Sequence, residues 1–408
     1  FEAVMRSSYD AIVVGARCAG ASTALLLARA GYRVLVVDRA TFPSDTVSTH
    51  IIHPRGVAAL ARWGLRERLA ATGCPPIDTY VFDFGSLTIS GAPGAEDAPV
   101  AYCPRRTILD KLLVDAAAEA GAEIREGFTV DTVVMEGGRA TGIRGRSRAG
   151  APLVEQASVV IGADGRHSVV ADAVRPEQYN DRPPLESVYY TYWSGLPMDS
   201  RCEIYSREAC GFAAVPTHDG LTLAMALWPY REFVARKPDV ESHYWRVLEQ
   251  IPELADRIRV AHREAPFAGA ALPNFFRKPY GAGWVLVGDA GYLKDPVTAQ
   301  GITDAFLDAE RCAAALDEIF RGARSFDEAM NAFQRTRDEH ALPMYEFTCQ
   351  LAALEPPDEG FQQLLAAIQG NHQLMDSFAR SYAGTISPAE FFAPENVNAI
   401  IASSGNVR

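Results

Sequence analysis

Several features that mark specialised protein classes are absent from this sequence. No apolar run approaches the roughly 20 residues that a membrane-spanning helix requires. The segment Phe1–Ser8 lacks the apolar core of a signal peptide, and Met5 is expected to be the native start. The seven cysteines are scattered and include no C-x-x-C pair. Together these absences predict a cytoplasmic protein with free thiols and no membrane span.

The charge balance is unfavourable for another group of functions. Asp and Glu outnumber Lys and Arg by 51 to 39, so that the formal net charge is −12 and the pI is near 5.2. A surface of this sign disfavours general binding to nucleic acids or anionic membranes. No internal repeat, low-complexity tract or metal-ligand spacing occurs. The chain has 408 residues, of which 48% are hydrophobic, and this length predicts two closely joined domains.

The most informative stretch is Tyr9–Asp38. Ala11–Val14 is an apolar, β-branched run that predicts a buried strand, and Ala19–Ala30 has the apolar spacing of a helix. Val34–Val37 predicts a second buried strand. A βαβ unit of about 30 residues is the expected size of a parallel strand pair with its crossover helix.

The residues at the turns of this unit are typical of nucleotide binding. Gly15 ends the first strand, Gly20 lies in the helix, and Asp38 follows the second strand. A helix N-terminus favours phosphate, and a carboxylate at this distance can accept hydrogen bonds from ribose. The middle glycine of the usual fingerprint is replaced by Arg17. Either its backbone adopts a conformation open to other residues, or phosphates lie further away, and its guanidinium could itself bind phosphate. A βαβ unit without nucleotide is the alternative.

A second stretch combines the run Val159–Ile161 with Asp164 and Gly165. The run predicts a buried strand, which would place the carboxylate at the carboxyl end of a parallel strand, where ligands bind in such sheets. Taken alone, the Asp-Gly pair favours a simple turn.

A third stretch repeats this arrangement near residue 290. Trp284–Val287 predicts a strand that ends at Gly288 and Asp289. Gly301 then precedes a predicted helix over Ile302–Leu316. A helix that begins at a glycine can bring its N–H groups close to an electron-rich ligand.

The remaining segments predict a second sheet and a helical end. Ile77–Ser90 and the aromatic, alternating runs within 176–273 favour antiparallel strands, accompanied by a helix or two. Residues 326–401 are mostly helical, with turns predicted at Pro343, Pro356-Pro357 and Pro388. Six aromatic residues could face either a ligand or the core. They are Tyr189, Tyr190, Tyr192, Trp193, Phe212 and Trp228.

Two polar groups also have both a structural and a functional interpretation. His50 lies in a loop rich in Ser and Thr that follows the βαβ unit, where such residues either cap a helix or line an active site. Arg105 and Arg106 precede a predicted helix over Thr107–Ala120. Paired arginines oppose the helix dipole at that position, so they indicate a nearby anion unless they are ordinary surface charges.

The three stretches, in this order, resemble the flavoprotein monooxygenases of the para-hydroxybenzoate hydroxylase type. Gly15 to Asp38 is similar to their FAD fingerprint, Asp164-Gly165 to their DG motif, and Gly288-Asp289 with Pro296 and Gly301 to their GD motif. The resemblance implies an α/β fold: a discontinuous Rossmann-like FAD-binding domain, an inserted antiparallel β-sheet substrate domain and a helical C-terminus. The implied bounds are 5–75, 100–175 and 275–345 for FAD, 76–99 and 176–274 for substrate, and 346–408 for the helical segment.

The resemblance assigns residues to the adenosine diphosphate half of FAD. Gly15, Arg17 and Gly20 would lie beside the pyrophosphate. Asp38, with Arg39 next to it, would hold the adenosine ribose.

Further contacts follow from the same resemblance. Arg106, in an R-x-x-L pattern that ends at Leu109, would reach the FAD phosphate or ribityl region. Val130 would meet adenine through its backbone. Asp164 and Gly165 would serve both FAD and the incoming nicotinamide nucleotide.

For the flavin half, the resemblance implies that Gly288 and Asp289 bind the ribityl chain. Pro296 would lie near the reactive edge of the ring. The amides of Gly301 and Ile302 would face its N1–O2 edge, where reduced flavin carries negative charge.

The implied activity is a monooxygenase reaction. NADPH or NADH would reduce FAD transiently, and O2 would form a C4a-hydroperoxide that transfers oxygen to an electron-rich aromatic or polycyclic small molecule. No metal is implied, His50 is a weak candidate for a catalytic base, and the oligomeric state stays open.

Three alternatives remain on the same pattern. A flavin-dependent reductase of isoprenoid or other double bonds shares these motifs, and so does a flavin-dependent halogenase. The halogenase motif W-x-W-x-I-P is absent, which disfavours that reading, while Tyr292 stands where the GD motif often has His. The third alternative is a non-enzymatic flavin-binding or redox-sensing module.

Overall fold

A computed structural model describes residues 9–148, 150, 152–236 and 239–405. The predictions for Met5 and for the segment Phe1–Ser8 lie outside these residues. In chain order the strands are β1 (Tyr9–Val14), β2 (Val34–Asp38), β3 (Pro76–Ile77), β4 (Thr79–Asp83), β5 (Thr88–Gly91), β6 (Ala101–Tyr102), β7 (Glu123–Glu126), β8 (Phe128–Glu136), β9 (Arg139–Ser147), β10 (Leu153–Gly162), β11 (Gln178–Arg182), β12 (Glu186–Ser194), β13 (Arg201–Arg207), β14 (Cys210–Pro216), β15 (Thr222–Pro229), β16 (His262–Arg263), β17 (Ala268–Ala270), β18 (Asn274–Arg277), β19 (Tyr280–Gly281), β20 (Trp284–Leu286) and β21 (Tyr292–Leu293).

Helices occupy most of the remaining chain. They are α1 (Cys18–Arg29), α2 (Pro54–Arg62), α3 (Arg66–Ala71), α4 (Arg106–Glu119), α5 (Val169–Val174), α6 (Tyr230–Arg236), α7 (Val240–Leu248), α8 (Pro252–Arg259), α9 (Gly301–Phe320), α10 (Phe326–Ala352), α11 (Glu359–Ile368), α12 (His372–Ala383), α13 (Pro388–Phe391) and α14 (Pro394–Gly405). Short 3-10 turns lie at His218–Gly220, Gly288–Ala290 and Pro296–Thr298.

The first sheet has the order β19-β20-β10-β1-β2-β7, with β8 and β9 attached beside β10. Its central strands are parallel, and Ile12 of β1 lies between Leu35 of β2 and Val160 of β10. Helices α1, α4 and α9 pack together beside this sheet. The strands are apolar on both faces because each face is covered, as expected for a parallel sheet. The predicted α/β fold with a Rossmann-like unit is therefore confirmed.

The second sheet has the order β16-β12-β15-β14-β13-β4-β5, with β17 beside β12. It is antiparallel except that β4 runs parallel to β13, which joins the predicted strands of Ile77–Ser90 to those of 176–273. Because side chains alternate along each strand, the aromatic residues fall on two faces. Trp193, Phe212 and Trp228 pack with Tyr189 against α7 and α8, and this confirms the core interpretation for these four.

The opposite face of this sheet carries Tyr190 and Tyr192. Helices α11 to α14 cover much of it, with Leu365 and Phe378 in the same apolar cluster. The fit at the edge is close, since a Cβ atom added at Gly91 would lie 2.3 Å from the carbonyl oxygen of Met375. The helical C-terminus is thus part of the packing of this sheet.

Helix α10 corrects one sequence prediction. It continues through Pro343, where a turn was predicted. A proline inside a helix removes the N–H that would bond to the carbonyl four residues earlier, here that of Glu339. Glu339 is exposed, so water can replace the missing donor. The same helix runs without interruption across residues 345 and 346, and the division into domains stays a prediction.

Two further observations concern the whole described chain. All seven cysteines are buried and free of disulfide bonds. Within residues 9–405, apart from the few positions that are not described, no helix is both long and apolar enough to cross a bilayer.

Candidate cofactor and active site

The three sequence motifs meet at one edge of the first sheet. Gly15 has φ of +99°, and a Cβ atom there would lie 2.4 Å from the carbonyl oxygen of Ala163. A Cβ atom at Gly20 would lie 1.8 Å from the carbonyl oxygen of Gly15, and one at Gly288 would lie 2.8 Å from Cβ of Ala19. The ends of β1, β10 and β20 can approach this closely only because these positions are glycines.

Arg17 is accommodated without strain at the position of the missing glycine. Its backbone angles are φ −87° and ψ −159°, an extended conformation that any L-residue adopts. This confirms the first of the two explanations for the departure from the fingerprint. Helix α1, which begins at Cys18, has no acidic residue in its first turn and no side-chain cap. Its N-terminal N–H groups therefore suit an anion such as a pyrophosphate.

The guanidinium of Arg17 binds a carboxylate that the sequence analysis overlooked. Arg17 donates to Asp110 at 2.5 Å, and Arg106 donates to the same side chain at 3.0 and 3.1 Å. Burial disfavours the charged form of Arg106, but Cys18 and Asp110 outweigh that effect and raise its pKa. Asp110 could have been found from its spacing, because it lies four residues after Arg106 on one helix. It is the anion that the sequence indicated near that arginine.

The second strand end places its carboxylate against the glycine loop. Asp38 accepts the N–H groups of Ala16 at 2.8 Å and Ala40 at 2.7 Å. Arg39 is exposed beside it, and Val130 of β8 packs in the same apolar cluster as the end of β1. The contacts of these residues with ribose and adenine stay predictions.

The DG motif forms the start of a helix. Asp164 accepts the hydroxyl of Ser168 at 2.5 Å and the N–H of Val169 at 2.7 Å, while Ser168 caps α5. Burial raises the pKa of Asp164, and these donors oppose the rise. The turn expected from Asp164-Gly165 is present, and the contact with a cofactor stays a prediction.

The GD motif and the N-terminus of α9 each present an exposed residue, Asp289 and Gly301. Solvent reaches the side chain of Asp289, yet the surrounding protein raises the pKa of its carboxyl, with Arg106 and Lys294 opposing. Gly301 is exposed at the first position of α9, and a Cβ atom added there would meet no atom within 4 Å. Ile302 is buried, and Pro296 is half-buried. An accessible carboxylate and an open helix N-terminus fit the ribityl and pyrimidine parts of FAD.

His50 is fully buried with both ring nitrogens engaged. Nδ1 lies 2.6 Å from the carbonyl oxygen of Ser48, and Nε2 lies 2.7 Å from the hydroxyl of Tyr192. Burial, reinforced by the charge of Arg106, lowers the pKa of His50 to about 3. The ring is therefore neutral near pH 7, and Nδ1–H donates to Ser48 while Nε2 accepts from Tyr192. A proton from a substrate would reach His50 only through the Tyr192 hydroxyl.

The turn that carries Pro296 is held by the second sheet and by α12. His53 lies 2.9 Å from the carbonyl oxygen of Thr298 through Nε2, and its Nδ1 lies 2.8 Å from the hydroxyl of Tyr80 on β4. Burial lowers the pKa of His53 to about 4. The hydroxyl of Tyr382 donates to the carbonyl oxygen of Val297 at 2.7 Å. No local sequence signal pointed to this arrangement, because its parts come from distant segments.

Other places for a ligand do not involve the predicted residues. A groove of about 670 Å³ lies between α10 and α13, and a hollow of about 520 Å³ lies between Pro43 and α4. Among the residues that the structure describes, no group of three or more His, Cys, Asp or Glu side chains is placed to hold a metal ion.

Comparison with known proteins agrees with this geometry. Residues 8–348 match the family model described as FAD binding domain. The chain is 27% identical over 366 residues to 6-methylpretetramide 4-monooxygenase of Streptomyces rimosus, covering 81% of each protein. It is 28% identical over 408 residues to phenazine 1,6-dicarboxylic acid hydroxylase of Lysobacter antibioticus, covering 89% of this chain and 96% of that one. The fold also matches a myxobacterial chondrochloren halogenase, with a TM-score of 0.80 and 22% identity over 98% of this chain and 97% of the other.

Proposed function

Because the chain belongs to the FAD binding domain family and is an FAD-dependent enzyme of the flavoprotein monooxygenase type, we propose that it hydroxylates or oxidises an electron-rich aromatic or polycyclic small molecule. NADPH or NADH would be the transient reductant and O2 the oxygen source. Bound FAD would supply the electron transfer and the activation of oxygen, which no side chain can provide. The proposal includes a cytoplasmic location, in keeping with seven free cysteines.

The open N-terminus of α9 carries this proposal. A Cβ atom added at Gly301 would meet no atom within 4 Å, so the first residue of α9 borders free space, and a helix N-terminus stabilises negative charge placed there. The preceding turn packs through Ala299 in the apolar cluster that contains Tyr190 and Tyr192. A flavin edge at Gly301 would therefore lie next to the aromatic face of the second sheet, and water would be kept away from the reacting atoms.

The substrate class is supported by the relatives and by this face. One relative is named for a phenazine dicarboxylic acid, whose ring system is planar and aromatic, and another for 6-methylpretetramide. Tyr190, Tyr192 and the neutral ring of His50 form an aromatic cluster. Within it the hydroxyl of Tyr192 bonds to the imidazole of His50, so that a proton could pass from one to the other. In this arrangement His50 is the candidate base, and it acts through the Tyr192 hydroxyl.

A halogenase is the second candidate, because a solved halogenase shares the fold along nearly the whole chain. At 22% identity this likeness supports the scaffold alone. A double-bond reductase on the same scaffold is the third. The two differ from a hydroxylase in what they require: halide and O2 for the halogenase, and no O2 for the reductase.

The test is anaerobic stopped-flow reduction of the FAD-loaded protein by NADPH and by NADH, with and without a panel of phenolic and polycyclic compounds. We expect one aromatic compound to accelerate reduction, and its product to contain one oxygen atom from labelled O2. Protein that holds FAD but is reduced by neither nucleotide contradicts a self-sufficient hydroxylase. Halide-dependent product or O2-independent product would then identify the halogenase or the reductase.

A matched pair of variants tests the bond between Tyr192 and His50. Tyr192→Phe removes the hydroxyl bonded to His50, whereas Tyr205→Phe removes one bonded to Glu203 on β13 of the same sheet. We expect Tyr192→Phe to reduce the acceleration by the aromatic compound and to alter its pH profile, and Tyr205→Phe to change neither. Equal effects of the two variants would contradict a role for the pair of Tyr192 and His50.

A further inference from the structure

Two buried carboxyl groups meet without a cation beside them. Glu186 begins β12 and is 0% exposed, and Asp295 lies between β21 and α9 and is 1% exposed. The two carboxyl groups are close enough for each to shift the pKa of the other. Oε1 and Oε2 of Glu186 and Oδ2 of Asp295 have no other partner among the described residues. These oxygens are also closed to solvent, so water cannot supply the missing hydrogen bonds.

Among the residues that the structure describes, no Lys, Arg or His side chain bonds to either carboxyl group. The hydroxyl of Tyr382 on α12 interacts electrostatically with Glu186, and the thiol of Cys349 on α10 does so with Asp295. Lys294 is adjacent in sequence, but its ammonium group bonds to Asp304 and to Tyr292 on another side. Burial is the largest cause that raises the pKa of each carboxyl; the other interactions that shift the two pKa values come from the partner carboxyl and, for Asp295 alone, from backbone N–H groups. Two ionised carboxylates at this spacing in a dry interior would be strongly unfavourable, and one shared proton removes the conflict.

The donors around the pair identify the group that keeps the proton. Asp295 accepts the N–H of Val297 at 3.1 Å, and the backbone N–H groups of Val297 and Glu186 both oppose the rise in the pKa of Asp295. Glu186 receives no such donor. Burial, and then the negative charge of Asp295, raise the pKa of Glu186 well above its ordinary value. Glu186 is therefore the acid, and it donates to Oδ2 of the ionised Asp295.

We propose that protonated Glu186 is a positioning residue, which fixes the turn of Asp295 to Thr298 and with it the start of α9 against the second sheet. Asp295 caps this turn, and Pro296 follows it directly. Glu186 shares the face of β12 that also carries Val188, Tyr190 and Tyr192, since side chains alternate along a strand. The shared proton stands on the contacts alone, while the effect on the cofactor rests on the placement of the flavin edge at Pro296 and Gly301.

Two hydrogen bonds thus connect the second sheet to the segments that would border the cofactor. At one end of β12, Tyr192 donates to His50, and at the other end Glu186 donates to Asp295. The hydrogen bond from Glu186 to Asp295 depends on pH. Because the pKa of Glu186 is raised, this hydrogen bond is present at low pH and is lost as the pH rises through that pKa. Above that pH both carboxylates are negatively charged and repel each other.

Infrared difference spectroscopy tests the shared proton without reference to activity. Spectra of the FAD-loaded protein and of the apoprotein are compared between wild type and Glu186→Gln over a pH series. We expect wild type at neutral pH to show a protonated-carboxyl band that Glu186→Gln lacks. A wild-type spectrum with no such band, or a band that persists in Glu186→Gln, would overturn the assignment.

The positioning role is tested by the midpoint potential of the bound flavin and by its dissociation constant, each measured against pH. Wild type should show an inflection at the pH where the infrared band disappears. Glu186→Gln keeps an N–H donor for Asp295 and cannot titrate, so it should bind FAD normally without the inflection. Glu186→Ala should weaken FAD binding about tenfold, the loss expected for one hydrogen bond to a charged group.

Glu264→Gln is the matched control, because Glu264 is an exposed carboxylate beside the same sheet. It should retain the inflection. If Glu186→Gln does not fold, Asp295→Asn serves instead, since an amide there can donate to Glu186 and removes the neighbouring charge. An inflection that is retained in Glu186→Gln, or that stays at the wild-type pH in Asp295→Asn, would overturn the positioning role while leaving the proposed oxygenase reaction untouched.

Discussion

The carboxylates at the ends of the first sheet and the pair behind the α9 turn are satisfied in opposite ways. Asp38 receives N–H groups from Ala16 after β1 and Ala40 after its own strand, and Asp164 receives a hydroxyl and an N–H from the start of the helix that follows its strand. Glu186 and Asp295 come from distant parts of the chain, and Glu186 has only its partner. A strand-end carboxylate can stay charged because its donors are built into the adjacent turn. In the pair of Glu186 and Asp295, only Asp295 has a donor in its own turn, so Glu186 must hold a proton.

The largest effect is expected from a substitution at the edge of the first sheet, where the strand ends and the glycine loop meet. Gly20→Val places a side chain where even a Cβ atom would lie 1.8 Å from the carbonyl oxygen of Gly15. We expect the free energy of unfolding to fall by about 5 kcal/mol, or folding to fail. Gly31→Ala is the control, since its site has open space and only a positive φ, which costs about 1 kcal/mol. Urea denaturation of the apoproteins measures both, and similar losses would contradict the close approach.

The next effect concerns the carboxylate that neutralises two arginines. Asp110→Asn leaves the buried Arg106 without its charged partner, and we expect a loss of about 3–4 kcal/mol in the free energy of unfolding. Asp115→Asn breaks an ion pair with Lys111 on the exposed side of the same helix and should cost less than about 1 kcal/mol. Thermal and urea unfolding distinguish the two. Equal costs would mean that Asp110 is not a buried charge centre.

A smaller effect appears as a function of pH. The folded chain holds His50 neutral because its pKa is lowered to about 3, while the unfolded chain takes up a proton near pH 6.5. Stability contributed by this group is present above that pH and is lost as the pH falls, by about 3 kcal/mol between about pH 6 and pH 4. His50→Gln should remove this part of the slope, leaving that of His53. Substitution of the exposed His262 by Gln should not.

The smallest effect on stability is expected from substitutions at Gly301, the exposed first residue of α9. Gly301→Leu starts from a Cβ position that has no described atom within 4 Å, at an exposed residue, so the stability of the apoprotein should stay within about 0.5 kcal/mol. FAD affinity should fall at least about tenfold, or about 1.4 kcal/mol, if the flavin occupies this space. Gly301→Ala should have an intermediate effect. Fluorescence titration with FAD gives the constants, and unchanged affinity in Gly301→Leu would place the flavin elsewhere.

The predictability of the fold follows from the range of the interactions involved. The βαβ unit, the strand ends at Asp164 and Asp289 and the antiparallel second sheet were predictable, because periodicity and turn residues act over short distances. The turn predicted at Pro343 was wrong, because α10 continues through this residue. A proline ends a helix when the carbonyl four residues earlier cannot find another donor, and here water can reach that carbonyl. The faces of the aromatic residues could not be assigned, since both faces of the second sheet are covered.

The candidate site was predictable in part for the same reason. Its glycines and strand-end carboxylates are local motifs, and the structure brings them together at one edge. The bond between Tyr192 and His50, the support of Thr298 by His53, and the pairing of Glu186 with Asp295 join segments that only folding brings together. Single residues of this kind carry no pattern in the sequence around them.

The packing of the C-terminal helices on the second sheet has a practical consequence for protein production. The family match ends at residue 348, inside α10, although Leu365, Phe378 and Phe391 belong to the same apolar cluster as Tyr190. A gene fragment trimmed to the matched region would therefore yield a polypeptide with a large apolar surface exposed to solvent. Such a polypeptide would tend to aggregate in the expression host. Tags and truncations are better planned from the packing than from the borders of a sequence alignment.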